Sequence, residues 1–479
     1  MAADTEAHDS WDTNLKVSRY VSRVDLTEAY TTLFFAGLGA RLVEVPGAQK
    51  PMAQALLEDP NNPDIPVDPD LRKLFVDQAI LVPEDCDEVS LLARRSHGVR
   101  YTPSSGLSLT ICPTVDCNFR CPYCYQHHLP GGMPDEVQQA TLRFIDEHQP
   151  EVTSLGVTWF GGEPLLGLSA IETLSGEFIE RFGRENYHAS MITNGLLLTP
   201  QVSTKLVDLG VARVQVTIDG PRESHNQRRI CVDKKPTFDR ITENLRQADT
   251  GLGISVRVNV DQENLEALRD EFFDQLDETG LKGRISVYFA PVETYTEVCA
   301  DVAGTCLAGR SWAKSAAQLQ LKAYQRGYGG TGIPSSKANV CIADNVSGWV
   351  INHDGMVYKC WSDVTEPHKA VRNLLTEETT PAMRDNLVQW MNWSPFKLSG
   401  CQECKTLPQC MGGCPLMAFQ QEGEIKKGYC SELRHNLRET VATYYLGIKE
   451  KQAMDQLTSS LHQVIPDLVP AASSGTPTK

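Results

Sequence analysis

Three cysteines within eight residues form the densest chemistry in the chain: Cys117, Cys121 and Cys124, in the run Cys-Asn-Phe-Arg-Cys-Pro-Tyr-Cys. Thiols at i, i+4 and i+7 on one short loop can hold three corners of a [4Fe–4S] cluster, whereas full protein ligation takes four. The remaining iron is then open to a chelating small molecule. A zinc site is the competing reading, with His127 and His128 close behind the loop. Zinc knuckles usually pair cysteines or histidines two residues apart, and no fourth ligand lies at such a spacing here. A second concentration lies downstream. Cys341, Cys360, Cys401, Cys404, Cys410, Cys414 and Cys430 place seven of the 15 cysteines in one ninety-residue stretch.

The elements that must position the first loop read as alternating strands and helices. Strands are expected at 106–111, 154–159, 187–192, 212–218, 254–260 and 284–290, with helices between them such as Asp135–His148 and Phe238–Ala248. Such alternation means parallel βαβ units, and six of them make a partial barrel rather than the closed eight-unit form. On several strands one phase is polar. Gln215, Thr217 and Asp219 alternate with Val214, Val216 and Ile218, and Ser255, Arg257 and Asn259 alternate with Ile254, Val256 and Val258. Ser108, Thr110 and Cys112 alternate likewise with Leu107, Leu109 and Ile111. A sheet covered on both faces by helices gives nearly continuous apolar strands. One face of this sheet therefore borders something wet or charged.

Two further stretches sit at strand ends. Phe160-Gly161-Gly162-Glu163-Pro164 follows the second strand, where two glycines let the backbone come close to a ligand and Glu163 offers a carboxylate to a cation. Thr217-Ile218-Asp219-Gly220-Pro221, with His225 and Arg229, closes the fourth. His225 is expected to be a structural hydrogen-bonder. Cys86, Cys112 and Cys231 are expected to pack as small buried apolar groups.

Composition narrows the partners. The 479 residues carry a formal net charge of −16, which disfavours a nucleic-acid partner. The richest apolar stretch, Leu33–Val45, is short and broken by Arg41, so no membrane span is expected. The first twelve residues are acidic and lack the apolar run of a secretory signal. Fifteen cysteines without such a signal point to metal ligation in a reducing cytoplasm. Residues 1–15 and 470–479 read as disordered. Strand-like runs at Thr31–Phe35 and Ala40–Val45, then helices at Lys50–Glu58 and Asp68–Gln78, suggest a small winged-helix-like module over 16–95, ending in an acidic link. Helical runs are also expected at Ser311–Arg326 and Glu432–Gln452.

Cys-x3-Cys-x-aromatic-Cys, with Tyr123 as the aromatic, resembles the signature of the radical S-adenosylmethionine (SAM) enzymes. The resemblance implies a partial (β/α)6 radical SAM barrel over 100–310, with Cys117, Cys121 and Cys124 on a [4Fe–4S] cluster that binds S-adenosylmethionine. Gly161, Gly162 and Glu163 resemble the element that binds the methionine ammonium group. Thr217 and Arg229 match the pair that holds its carboxylate, Thr217 standing where the family pattern has Ser. The downstream pattern, including Gly355 between Cys341 and Cys360, resembles a SPASM domain, expected over 330–450. That likeness implies two auxiliary [4Fe–4S] clusters: an outer one on Cys401, Cys404, Cys410 and Cys430, and an inner one on Cys341, Cys360 and Cys414. Fully ligated relatives carry one more cysteine just before the first of the seven. Here Ser335 and Ser336 occupy that region, leaving Cys306, Cys299 or an open iron as the fourth corner.

The implied activity is that of a peptide maturase. A 5′-deoxyadenosyl radical takes a hydrogen atom from a peptide residue, and oxidation leaves a thioether, carbon–carbon or carbon–oxygen crosslink. Module 16–95 is similar in arrangement to a precursor-recognition domain, and an external electron donor of flavodoxin or ferredoxin type is implied. One alternative is an anaerobic sulfatase-maturating enzyme, which forms formylglycine. Those enzymes carry Asp directly after the cysteine of the Gly-x4-Cys element, where this chain has Trp361, leaving Asp363 as the candidate base. A second alternative is a non-catalytic iron–sulfur electron carrier, in which the Gly-Gly-Glu and Thr217/Arg229 elements have no role.

Overall fold

The computed structural model describes residues 14–26, 30–65, 68–148, 151–307, 309–329, 332–376, 378–420 and 428–464. The expected disordered ends lie outside these except for Asn14 and Leu15, the latter already in a strand. Ahead of the barrel come β1 (Leu15–Val17), β2 (Val21–Leu26), β3 (Thr31–Ala36), β4 (Arg41–Pro46) and β5 (Leu81–Pro83), with helices α1 (Lys50–Glu58), α2 (Pro69–Asp77) and α3 (Glu88–Tyr101). Strands β2, β3 and β4 make an antiparallel sheet, and β1 pairs with β5.

β3 is buried on both faces, which its unbroken Leu33-Phe34-Phe35-Ala36 run explains. Phe34 and Ala36 pack with Leu56, Leu71 and Phe75 of α1 and α2. Leu33 and Phe35 pack instead with Leu437, Val441 and Tyr445 of the closing helix, Leu433–Val464. Residues 16–95 thus share a core with the far end of the chain.

Helix α3 stands where the sequence reading had only an acidic link. Its buried positions are Glu88, Leu92, Ser96 and Arg100, a regular i, i+4 stripe with one apolar member, so no hydrophobic period announces it. Asp87 caps its start by accepting from Val89 N and Ser90 N.

The barrel strands are β6 (Gly106–Thr114), β7 (Ser154–Gly161), β8 (Tyr187–Thr193), β9 (Val211–Thr217), β10 (Gly253–Val260) and β11 (Ile285–Pro291). Each lies parallel to the next in chain order, as six βαβ units require. The covering helices are α4 (Asp135–Asp146), α5 (Leu168–Phe182), α6 (Pro200–Asp208), α7 (Arg222–Arg228), α8 (Phe238–Gln247), α9 (Glu271–Glu278) and α10 (Gly309–Gln325). The apolar phase of the strands meets them in one core: Val214, Val216, Val256 and Val258 pack there with Ile241, Leu245 and Phe272. The polar phase of β9 and β10 (Gln215, Thr217, Arg257 and Asn259) lines a central cavity. On β6 the outcome differs, because Ser108 is exposed while Cys112 packs with Val350 and Tyr358.

That last contact reveals an unexpected join. Strand β12 (Gly348–Ile351) pairs parallel with β6, Gly348 opposite Ser108 and Ile351 opposite Ile111. β13 (Met356–Tyr358) and β14 (Arg372–Asn373) then extend the edge antiparallel. One nine-stranded sheet, ordered β11-β10-β9-β8-β7-β6-β12-β13-β14, therefore runs through both the expected barrel and the expected cysteine-rich region. No described helix is long and apolar enough to cross a membrane.

Candidate active site

The Cys117–Cys124 loop leaves the end of β6 and is stitched to the segment after α7. Arg120 N donates to Ile230 O at 2.7 Å, Val232 N donates to Asn118 O at 2.8 Å, and Phe119 bridges Cys231. This seam carries Arg229 against the loop. Its Nη1 lies 3.3 Å from Cys121 Sγ and 3.2 Å from Tyr123 Oη, and its guanidinium sits 5.2 Å over the Phe119 ring. Arg229 Nε is buried without a partner. Tyr123 is fixed from the other side by its hydroxyl bond to Asp219, whose other oxygen accepts from Asn259 N at 2.9 Å.

Gly161 and Gly162 have a steric reason to be glycine. At Gly161, φ is +124° and a Cβ would lie 2.0 Å from Thr114 O; at Gly162 a Cβ would lie 2.2 Å from Asp116 O. The close approach is thus to the root of the cysteine loop, and the pair also faces the cavity. Glu163, expected to offer its carboxylate to a ligand, is bonded within the protein. It is fully buried and off the cavity wall, with its oxygens taken by Thr193 Oγ1 (2.7 Å), Asn194 N (2.7 Å) and Leu165 N (3.1 Å). Burial raises its carboxyl while these donors pull it back. Its work is to tie the turn after β7 to the end of β8.

One cavity of about 510 Å³ gathers the site. Cys117, Cys121, Cys124, Tyr123, Thr217 and Arg229 line it from the barrel, and Cys341, Cys360, Cys410 and Cys414 from the C-terminal region. Burial pushes the thiols up, Cys117 to about 12 and Cys121 to about 11, with Arg229 drawing Cys121 back down. Of the two nearby histidines, His128 faces the cavity with Nε2 3.5 Å from Cys124 Sγ, whereas His127 is exposed near Glu366.

The downstream cysteines sort into two groups. Burial, then Asp363 and after it Cys341 and Cys414, raises Cys360, while Cys401 is raised by burial and then by Cys410, Cys430 and Cys404. Arg434 Nη1 lies 3.1 Å from Cys430 Sγ. At Gly413 a Cβ would fall 1.6 Å from Tyr429 O, so only glycine lets the two segments cross between Cys410 and Cys414. Cys299 Sγ and Cys306 Sγ turn instead to the carbonyls of Thr296 and Val302, each at 3.3 Å, and neither lines the cavity. Cys112 and Cys231 are buried and Cys86 is half-buried.

Asp363, the candidate base, is held away from the cavity. It is 2% exposed, off the cavity wall, and holds Lys369 Nζ at 2.9 Å. Trp361 lines the cavity in its stead, 5.4 Å from the Phe160 ring. Among the cavity residues that escaped the sequence reading are Asn194, whose Nδ2 donates to Asn118 Oδ1 at 2.6 Å, and Glu293. Asn194 directly follows β8 and Glu293 lies two residues past β11, so inspecting every strand's carboxyl end would have found them.

His225 is structural, as expected. Its Nδ1 accepts from Asp219 N at 3.3 Å and its Nε2 meets Thr237 Oγ1 at 3.1 Å. Burial, then Arg229, holds it well below the ordinary histidine value. The unfolded chain protonates this side chain near pH 6.5 and the folded one does not. The unfolded state thus binds more protons below that pH, and stability falls as pH drops, by up to about 1.4 kcal/mol per unit. Denaturation midpoints between about pH 7 and pH 5 should show the decline, and His225→Asn should flatten it. An equal slope in both proteins would assign the decline to other groups.

Residues 111–283 match the family model described as the Radical SAM superfamily. This segment is a radical SAM domain. Such domains bind a [4Fe–4S] cluster and S-adenosylmethionine. Among curated proteins, the chain is 33% identical over 170 residues to an AdoMet-dependent heme synthase of Methanosarcina barkeri, covering 33% of this chain and 44% of that protein. It is 25% identical over 390 residues to a serine-type anaerobic sulfatase-maturating enzyme of Bacteroides thetaiotaomicron, covering 71% and 90%. The solved structure "Native anSMEcpe with bound AdoMet and Kp18Cys peptide" shares the fold, with a TM-score of 0.55 at 19% identity over 71% of this chain and 99% of that one. The radical SAM segment fits its cofactors on its own evidence. Three thiols face one cavity, and beside them the buried Arg229 Nε is an unpartnered donor suited to a carboxylate.

Proposed function

We propose that the protein is a radical SAM peptide maturase that oxidatively installs a thioether, carbon–carbon or carbon–oxygen crosslink. The observation that carries this reading is the shared cavity. A substrate residue bound there adjoins both the Cys117–Cys124 loop and the Cys341, Cys360 and Cys414 thiols. When bound, the cluster and S-adenosylmethionine supply a 5′-deoxyadenosyl radical, chemistry that belongs to the cofactor. In this reading Cys117, Cys121 and Cys124 hold the first cluster. Thr217 and Arg229 hold the S-adenosylmethionine carboxylate, and the Gly161–Gly162 backbone and Tyr123 shape the wall beside it. Cys401, Cys404, Cys410 and Cys430 hold an outer auxiliary cluster. Cys341, Cys360 and Cys414 hold an inner one, an outlet for the electron left on the substrate. Residues 16–95 recognise the precursor, and a flavodoxin- or ferredoxin-type donor supplies reducing electrons.

A second reading, sulfatase maturation, is favoured by the extent of the likeness to the Bacteroides enzyme, which spans most of both chains. Against it stands Trp361, an indole at the cavity where that chemistry calls for a carboxylate, with Asp363 buried against Lys369. The test is to incubate reconstituted protein, S-adenosylmethionine and dithionite with peptides from short reading frames beside its gene, and separately with a sulfatase-derived Cys or Ser peptide. A precursor that loses a pair of hydrogens and gains no hydrazine-reactive aldehyde is the expected product. An aldehyde on the sulfatase peptide, with the precursors unchanged, would replace the proposal by the second reading.

A further inference from the structure

Glu293 lies two residues beyond the end of β11 and lines the cavity together with Cys341, Cys360 and Cys414. It belongs to none of the sequence motifs. Its Oε1 accepts from Tyr429 Oη at 2.6 Å. Tyr429 is in turn bridged through its backbone to Gly413, the neighbour of Cys414. The carboxylate is thereby anchored to the segment that carries one of the three inner thiols. Among the other thiols, Cys410 also lines the cavity but belongs in this reading to the outer set, while Cys299 and Cys306 face backbone carbonyls off the wall.

We propose that the Glu293 carboxylate is the fourth ligand of the inner auxiliary cluster, binding through one oxygen the iron that Cys341, Cys360 and Cys414 leave without a thiolate. The assignment rests on the reading that those three cysteines hold a cluster. Tyr429 acts as the outer partner that orients the ligand, the part usually taken by a hydrogen bond behind a metal-bound group. Carboxylate is a harder donor than thiolate, and iron–sulfur clusters favour thiolates. This corner is therefore the exchangeable one, open to displacement by a softer sulfur ligand.

The test uses full-length protein carrying Cys117→Ala, Cys121→Ala and Cys124→Ala, so that only auxiliary clusters remain after anaerobic reconstitution. Iron content and the paramagnetic spectrum of the dithionite-reduced protein are compared with and without Glu293→Ala, Glu293→Gln, Glu293→Cys, Cys299→Ala and Cys306→Ala. The parent should hold on the order of eight irons. Glu293→Ala and Glu293→Gln should each shift the signal of one cluster and leave the other unchanged. Glu293→Cys should give a third spectrum, that of a fully thiolate-bound cluster, and the two cysteine variants should be silent. Glu293→Gln keeps the side chain's size and its bond from Tyr429, so it reports on ligation even where the alanine variant folds poorly. A spectrum indifferent to Glu293→Gln and Glu293→Ala, or one that responds to Cys299→Ala or Cys306→Ala, overturns the assignment while leaving the inner cluster standing. A parent with only about four irons overturns the inner cluster and its fourth ligand together.

Discussion

Replacing Cys117, Cys121 and Cys124 together by alanine should remove about four of roughly twelve irons from reconstituted protein and abolish 5′-deoxyadenosine formation with dithionite and S-adenosylmethionine. The effect is expected to be complete because the loop's whole set of thiols is removed at once. Cys112 is buried in a separate apolar cluster with Val350 and Tyr358, and Cys231 packs in the barrel core. Arg229 would persist in the triple variant, yet without the loop thiols it has nothing to position beside the cofactor. Retained deoxyadenosine formation, or zinc as the dominant metal in the parent protein, would break the assignment. His128 gives the zinc alternative a concrete form through its contact with Cys124, so His128→Ala belongs in the same experiment. In a cluster site it leaves the iron count unchanged.

The largest expected effect on stability comes from a residue far from that loop. Arg100 on α3 and Asp344, three residues after Cys341, form an ion pair at 3.4 Å with side chains only 3% and 2% exposed. Arg100 Nε also donates to Asp344 O at 2.8 Å, and the Asp344 carboxylate accepts from the backbone N–H groups of Cys341 and Val340. Removing one partner of a buried pair leaves an uncompensated charge, at a cost of about 3–5 kcal/mol. Arg100→Ala should therefore lower the denaturation midpoint sharply and loosen Cys341, with loss of the inner cluster's iron. The paired change Arg100→Met with Asp344→Asn should cost less than Arg100→Ala alone, since it removes both charges. If the single and paired variants unfold alike, packing rather than charge sets the effect.

The α/β barrel was legible because its signal is periodic. The alternation of Ile254, Val256 and Val258 with Ser255, Arg257 and Asn259 predicts both a strand and the side that faces the cavity, and β10 obeys it at Arg257 and Asn259. The cysteine spacings likewise picked out residues that line one cavity, Cys117, Cys121 and Cys124 with Cys341, Cys360 and Cys414. What escaped the sequence had no period or no local partner. Helix α3 buries a stripe whose polar members are satisfied by residues distant in sequence: Glu88 by Ser18 and Arg19, Arg100 by Asp344. Glu163 and Asp363 look in sequence like free carboxylates beside a site. Their donors, Thr193 and Asn194 for one and Lys369 for the other, become visible only when the strand ends converge. Glu293 was missed for the opposite reason, since a lone carboxylate after a strand carries no motif.

The pairing of β12 with β6 also has a bearing on synthesis. β6 emerges from the ribosome well over two hundred residues before Gly348, and until then one edge of the strand that leads into the Cys117–Cys124 loop has no partner. Contacts of such long sequence separation form slowly, and unpaired strand edges invite misassembly. The nascent barrel therefore passes through a window in which the loop cysteines exist but the sheet beneath them is unfinished. Metal loading is accordingly expected to follow release of the chain, and slow translation between β6 and β12 would prolong the interval in which those thiols are open to oxidation.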